Sequence, residues 1–398
     1  MSENTRIRNK VILISDMHDS HDDRIYWKEA ISLIQAGYDV SHIYASDTEK
    51  HYETEEGIKI IGFKKRQYHK NKFLNKLLKL FLGDIFIKST LEYLKSCHAD
   101  FIHIHDIKLL NLIASAGKID KKTIFIFEAG DPFFQNAIDY NQKGLINKLF
   151  GFLKSKQIIK LEKKQIQNID CIITTEENMH KRYTLLGAKR TEILYNYTNL
   201  NSDFQNPSFE QRDIDILYTG LISVHRGVFE MIDAVEYVVK RRPKTKAVFI
   251  GFIHEESLRK KIYKRISEKK LTQNIFIVNA VSYIEISNYY LRCKIGLGVF
   301  QNIPTHNIIL QIKIFEYMAF GIPIVGSNFG HINNYIKENN VGITVDPTDI
   351  AEIGISILKI LEDKNVFNTF NKNGITAVKQ KYNWKEMDTK LTSIYNSL

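Results

Sequence analysis

The chain has 398 residues, is 44% hydrophobic and 11% aromatic, and carries a formal net charge of +11. That length exceeds one ordinary core and suits two domains, and the apolar content excludes a disordered chain. Cys97, Cys171 and Cys293 lie far apart and form no Cys-x-x-Cys, so neither a disulfide framework nor a zinc site is indicated.

Taken in chain order, the first half alternates short β-branched runs with helical patterns. The start, Met1 to Lys10, is polar, and the first apolar run, Val11–Ile14, is too short for a signal peptide or a membrane span, so a reducing cytoplasm is the expected location. Val11–Ser15 reads as a buried strand, Arg24–Ala36 as a helix stopped by Gly37, and Asp39–Ala45 as a strand. Phe101–His105 and Thr123–Glu128 read as strands with a short helix between them. Lys143–Gln167 reads as a long helix, Cys171–Thr175 as a strand, Glu177–Leu186 as a helix and Glu192–Asn196 as a strand. Residues 197–213 turn polar and are the expected linker. The alternation then restarts, with strands at Ile214–Thr219, Lys246–Gly251, Asn274–Val278, Ile295–Val299, Pro323–Gly326 and Gly342–Val345. Helices are expected at about 349–362, 365–380 and from Trp384 to Leu398. The fold class expected is therefore α/β, with two tandem doubly wound Rossmann-like domains facing a cleft. Their bounds are 1–196 and 214–380, with residues 381–398 as a C-terminal helix returning to the first domain.

The positive charge is local. Residues 64–95 carry a net +7 and residues 143–164 a net +6, so the rest of the chain is slightly acidic. Leu74, Leu77, Leu78, Phe81, Leu82 and Ile85 share one face of a helix expected at 73–88. Basic helices of this kind suit an anionic membrane surface, while the same stripe equally suits a core helix with a solvated lysine face. The basic runs lack a recognisable nucleic-acid module, so nucleic acid is not an expected partner.

Several strings carry chemistry. Thr219 to Gly227 follows a strand and leads into a helix, which makes an anion site from free backbone N–H groups, with Gly220 at the turn and Arg226 as a bidentate phosphate ligand. The helix holding Lys313 and Glu316 is otherwise apolar and runs into a Gly-x-Pro turn and a strand. Glu316 is suited to ribose hydroxyls and Lys313 to phosphate; the plain alternative is a core helix with a surface Glu. The loop after the first strand crowds His18, Asp19, His21, Asp22, Asp23 and Arg24, either for polar recognition of an acceptor, with Asp16, His18, Asp23, Arg24 and His105 as the acceptor-side candidates, or as a helix N-cap region. His103 and His105 share a strand face, but no third metal ligand is evident, so no metal is expected. Glu128 and Asp131 end the next strand and are candidates for sugar binding or acid/base work. Asp213-Ile214-Asp215 stands at a strand start and reads as structural.

Together these strings resemble a glycosyltransferase of the GT-B fold, close to family 4, the retaining sugar-nucleotide enzymes. The resemblance covers nearly the whole chain and is carried by Gly220–Gly227, by Lys313–Val325, by Asp23–Val40 and by Tyr382-Asn383-Trp384. It implies that Glu316 holds the ribose of a nucleotide diphosphate sugar and that Arg226 and Lys313 hold its pyrophosphate. It also implies no cofactor beyond that co-substrate, no metal, and transfer to a hydroxyl with retained configuration. Two positions depart from the family. Ile308 stands where a second Glu normally contacts the donor sugar, and Gly130 and Asp131 stand where a His is usual, so Glu128, Asp131 or His18 are the candidates for its role. The expectation is a peripheral enzyme on the inner face of the cell membrane, acting on a glycan or lipid-linked glycan precursor. The rivals are an epimerase of the same fold and a non-catalytic partner-binding subunit.

Overall fold

The computed structural model describes residues 9–65, 84–117, 121–140, 144–199 and 206–398. They form two compact units, Met1–Tyr195 with Lys385–Leu398, and Asn196–Trp384.

The first unit is built on β1 (Lys10–Ser15), α1 (Ile31–Gln35), β2 (Asp39–Ser46), β3 (Lys50–Glu53), β4 (Lys59–Lys64), α2 (Ile85–Ser96), β5 (Phe101–Ile104) and α3 (Leu110–Ala116). It continues through β6 (Ile124–Ala129), α4 (Phe133–Asp139), α5 (Leu145–Gln165), β7 (Cys171–Thr174), α6 (Glu177–Leu185) and β8 (Thr191–Ile193). The strands order as β3-β4-β2-β1-β5-β6-β7-β8. All pairings are parallel except β3 with β4. Val11 to Ile14 and Ile126 to Phe127 are fully buried, as expected of strands covered on both faces. The β3–β4 pair was not expected from sequence. β3 is exposed throughout, so it shows no core periodicity, whereas Ile60, Ile61 and Phe63 of β4 are buried.

The expected helix at 73–88 lies mostly outside the described residues. Its end is corrected: Asp84 is extended and its side chain accepts from Phe86 N, so a new helix, α2, starts at Ile85.

The second unit comprises β9 (Ile214–Thr219), α7 (Val228–Arg241), β10 (Ala247–Ile250), α8 (Glu256–Glu268), β11 (Ile275–Val278), α9 (Tyr283–Arg292), β12 (Cys293–Gly298), α10 (Pro304–Ile308) and α11 (Ile312–Ala319). β13 (Ile324–Ser327), α12 (Gly330–Asn339), β14 (Gly342–Val345), α13 (Ile350–Glu362) and α14 (Lys364–Gln380) complete it, and α15 (Trp384–Asn396) follows. The order is β11-β10-β9-β12-β13-β14, all parallel. Ile216, Tyr218, Phe249, Ile295 and Leu297 from the sheet meet Met231, Val235 and Ile357 from the helices in one core.

In each sheet the strand order reverses once: between β1 and β5, and between β9 and β12. At such switch points the loops leaving adjacent strands diverge to opposite faces and leave a crevice at their carboxyl ends, where ligands of open α/β sheets bind.

Candidate functional site

In the second unit the crevice is flanked by the loop after β9 and the segment after β12. Gln301 N donates to His225 O at 2.9 Å, which ties the two loops together. Gly220 has φ +110° and Gly227 φ +71°. A Cβ on Gly227 would stand 2.2 Å from Val299 O, so only glycine lets these loops approach this closely.

α11 delivers Lys313 into this crevice. Its side chain is buried, and its Nζ lies 3.8 Å from the Tyr218 ring centroid and 5.2 Å from that of Phe300. Among the described residues, Lys313 Nζ has no hydrogen-bond partner, and neither does the buried Arg226 Nε. The Arg226 guanidinium sits 5.9 Å from the same Phe300 ring. Burial, and then the charge of Arg226, push the Lys313 ammonium well below its ordinary range, with Glu316 acting in the opposite sense. A lysine and an arginine beside aromatic rings, with Lys313 Nζ and Arg226 Nε unbonded among the described residues, form a preorganised anion site, and an arriving anion favours the charged form of Lys313. A Cβ on Gly220 would fall 3.2 Å from Lys313 Nζ, so the ammonium lies directly against the turn.

One turn along α11, Glu316 is half-buried, and Tyr290 OH donates to its Oε2 at 2.7 Å. Tyr290 is buried beside Thr219 Oγ1 at 3.3 Å. Burial and the Glu316 carboxylate raise the phenol well above its usual value, so it stays a donor. Gly220, Arg226, Lys313 and Glu316 are thus gathered in one crevice, the grouping that the family resemblance implies. Tyr290 and Tyr218 were missed, because an aromatic in an apolar pattern gives no sign of which ring will meet a site.

In the first unit Asp106, just after β5, accepts from Asp16 N at 2.7 Å and Met17 N at 3.1 Å, joining the β1 and β5 loops across the switch point. His18 stands above them with its side chain 40% exposed, its Nδ1 2.8 Å from Asp22 Oδ2 and its Nε2 4.0 Å from Asp106 Oδ1. Burial alone would lower the imidazole, but the hydrogen bond and charge of Asp22, with Asp106 and Asp131 beyond, raise it to about 9. His18 is therefore a cation near neutrality. Asp16 is raised by its burial and lies 3.7 Å from Lys108 Nζ. Asp131 is exposed at the end of the β6 loop.

Packing places the other candidates of this unit inside rather than at the surface. Arg24 is buried: its Nε lies 2.7 Å from Glu29 Oε1 and 2.9 Å from Glu128 Oε1, and its Nη2 donates to Leu194 O at 3.1 Å. Glu128 and His105 are buried with it, and His105 Nε2 lies 2.6 Å from Glu29 Oε2. Asp23 is turned back onto Lys28 at 2.7 Å. These side chains brace the crevice from within and do not line it.

Glu29, His103, His105 and Glu128 bring ligand-type atoms within 4.8 Å of one another, supplying the third and fourth groups that the sequence did not reveal. The Arg24 guanidinium already bridges both carboxylates. Burial pushes the Glu128 carboxyl up to about 8, with Arg24 lowering it and Glu29 raising it, while burial lowers both imidazoles. One proton on the carboxylate pair makes the cluster neutral, so the set fits a proton better than a divalent ion.

Asp213 and Asp215 pair with Arg292, Lys246 and Lys294 at the opposite ends of the strands, as structural clamps.

Residues 201–377 match the family model for "Glycosyl transferases group 1". Among curated relatives, the alpha-D-kanosaminyltransferase of Streptomyces kanamyceticus is 24% identical over 183 residues, 46% of this chain and 45% of that enzyme, so this match spans about half of either protein. The capsular polysaccharide biosynthesis glycosyltransferase CapM of Staphylococcus aureus is 22% identical over 350 residues, 78% of this chain and 89% of that one. The sucrose-phosphate synthase of Thermosynechococcus elongatus superposes with a TM-score of 0.76 at 17% identity, over 98% of this chain and 99% of that one. Anabaena HepE in complex with UDP and glucose gives 0.70 at 14% identity, over 98% and 100%.

Proposed function

Because residues 201–377 form a group 1 glycosyltransferase domain within a chain of GT-B fold, we propose that this enzyme moves a sugar from a nucleotide diphosphate sugar to a hydroxyl of a glycan or lipid-linked glycan precursor. The observation that carries this reading is the Lys313–Arg226 pair: a buried lysine and a half-buried arginine at a switch point, facing a glycine turn, with no hydrogen bond among the described residues to Lys313 Nζ or Arg226 Nε. A diphosphate supplies the missing counter-charge. Glu316, held by Tyr290, takes the ribose hydroxyls.

Transfer needs the sugar–oxygen bond to the diphosphate to break as charge grows on that oxygen. Lys313 and Arg226 stand where they stabilise this charge, in a partly buried site that strengthens each interaction. The proposal includes retention: the acceptor hydroxyl attacks from the face the diphosphate leaves, and its proton passes to the departing diphosphate oxygen. The two cations take the place a divalent ion would hold, so activity is proposed to be metal-independent. On the first unit, Asp16 and Asp131 accept from acceptor hydroxyls, and His18, charged near neutrality, donates. The CapM match and the basic stretch of α5 support a surface-glycan acceptor handled at the inner, cytoplasmic face of the cell membrane.

Thermal melting against a panel of nucleoside diphosphates and their sugars tests the reading. One diphosphate at about 100 times its Kd raises stability by roughly 2.7 kcal/mol, and Glu316→Ala and Arg226→Ala each remove most of that rise. Absence of any rise at millimolar diphosphate overturns it. Transfer that persists in excess chelator supports the metal-free route, and transfer restored only by added metal refutes it.

A further inference from the structure

No described helix is long and apolar enough to cross a membrane. One helix nevertheless exposes apolar surface that water-facing helices avoid. In α5, Leu145 and Ile146 are 86% and 84% exposed, and Leu149, Phe150, Phe152 and Leu153 are each about half exposed. Six large apolar side chains within nine residues form a contiguous patch of the kind that marks an interaction site. At 100° per residue, all six fall within an arc of about 160°. The opposite face, Gly151, Ser155, Glu162 and Gln165, is the buried one.

That buried face fixes the helix firmly. Tyr183 OH donates to Glu162 Oε1 at 2.6 Å, and Arg182 Nη2 lies 2.5 Å from Glu162 Oε2. Gly151 and Ser155 are small where the helix meets the body of the unit. The outward face is thus fixed in direction, and its composition changes along the axis. Its first turns are apolar, and Lys156, Lys160, Lys163 and Lys164 occupy the same side over the next turns, with Lys148 and Lys154 at the flanks. Lys156 Nζ lies 4.4 Å from the Phe152 ring centroid, where the apolar and basic zones meet.

We propose that this face of α5 inserts into an anionic bilayer surface, with Leu145–Leu153 buried at the acyl boundary and the lysines among the phosphates. The charge chooses the occupant. Residues 143–164 carry +6, so a second copy of the same face is repelled, and residues 64–95, at +7, are no better matched. An anionic lipid surface supplies both the apolar phase and the opposite charge, and two signals together give stable attachment where one gives marginal binding. The inference rests on the peripheral-membrane part of the proposed function and is independent of the transfer chemistry.

The test uses the full chain with vesicles of phosphatidylcholine alone or with phosphatidylglycerol, in low salt. Wild type sediments with the anionic vesicles only. The triple variant Leu149→Ser, Phe150→Ser, Leu153→Ser lowers the partition at least tenfold, and so does Lys156→Glu, Lys160→Glu, Lys163→Glu, while both keep the wild-type melting temperature and nucleotide-induced rise. Phe152→Trp gains blue-shifted emission on adding anionic vesicles. Equal binding of wild type and both triple variants overturns the role of α5 and leaves another surface as the attachment. No binding by wild type overturns the peripheral reading as well. A wild-type dimer that the apolar variant abolishes, without lipid binding, makes the face a self-interface and overturns the proposal.

Discussion

At the scale of single residues, burial decides which charges are tools and which are braces. Lys313 is a buried lysine with no hydrogen bond among the described residues to its Nζ, a costly placement for its charged form. Lys313→Met is therefore expected to raise the ligand-free stability by roughly 1–3 kcal/mol, with a higher melting point, while abolishing the nucleotide-induced rise; a lower melting point with intact nucleotide response counts against an anion site. Glu128 shows the opposite case. Its carboxyl is raised from 4.5 to about 8, chiefly by burial. The folded chain keeps a proton there that the unfolded chain releases above 4.5, so its contribution is full below pH 4.5 and is lost as pH rises through about 8. Glu128→Gln keeps the shape without the titration. It is expected to flatten the decline of stability between pH 5 and 8 and to be more stable than wild type at pH 9, as read by denaturant melts at each pH. An unchanged slope places the buried proton elsewhere.

At the scale of elements, the crevices are made by what holds loops close. Gly251 N donates to Val278 O, and a Cβ on Gly251 would fall 1.8 Å from Gly220 O, so the turns after β9 and β10 touch backbone to backbone. Gly227→Ala meets both a left-handed φ and Val299 O. It is expected to cost at least about 2 kcal/mol and to weaken nucleotide binding, because the loop bearing Arg226 must move; calorimetry reads both. Arg212 works from a stretch whose polarity reads as a linker. Buried, it donates to the carbonyls of Pro207, Tyr290, Cys293 and Phe320, pinning the start of β9 to α9, β12 and the end of α11. Arg212→Leu leaves those carbonyls unmatched and is expected to destabilise the second unit by about 3–5 kcal/mol. A loss below 1 kcal/mol in urea titration refutes that role.

At the scale of the molecule, one mostly parallel and one fully parallel sheet, each with a switch point, are the frame on which every candidate residue hangs. The chain closes the first unit with its own end: Leu391, Ile394 and Tyr395 of α15 are buried, Tyr395 OH lies 2.9 Å from His103 Nδ1, and Tyr38 OH donates to Asn396 at 2.8 Å. Tyr395→Ala is expected to cost the first unit about 3–5 kcal/mol, and an unchanged unfolding midpoint refutes the integration of this helix. The sequence by itself determined the alternation of strands and helices, because buried parallel strands are short β-branched runs and their helices keep a 3.6-residue period. It also marked the Gly220–Arg226 turn and the Lys313–Glu316 helix as two separate candidate strings, because turn glycines and charges in apolar helices stand out locally, while joining them in one site rested on the family resemblance. Only the tertiary structure decided the rest. Arg24, His105 and Glu128 lie on three separate segments, and their fate depended on whether those segments converge inward. Tyr290 acquired its role through a neighbour 26 positions away. The apolar residues of α5 turned outward because Gly151, Ser155 and Glu162 took the inner face. Contacts between distant segments are set by packing, and no local pattern records them.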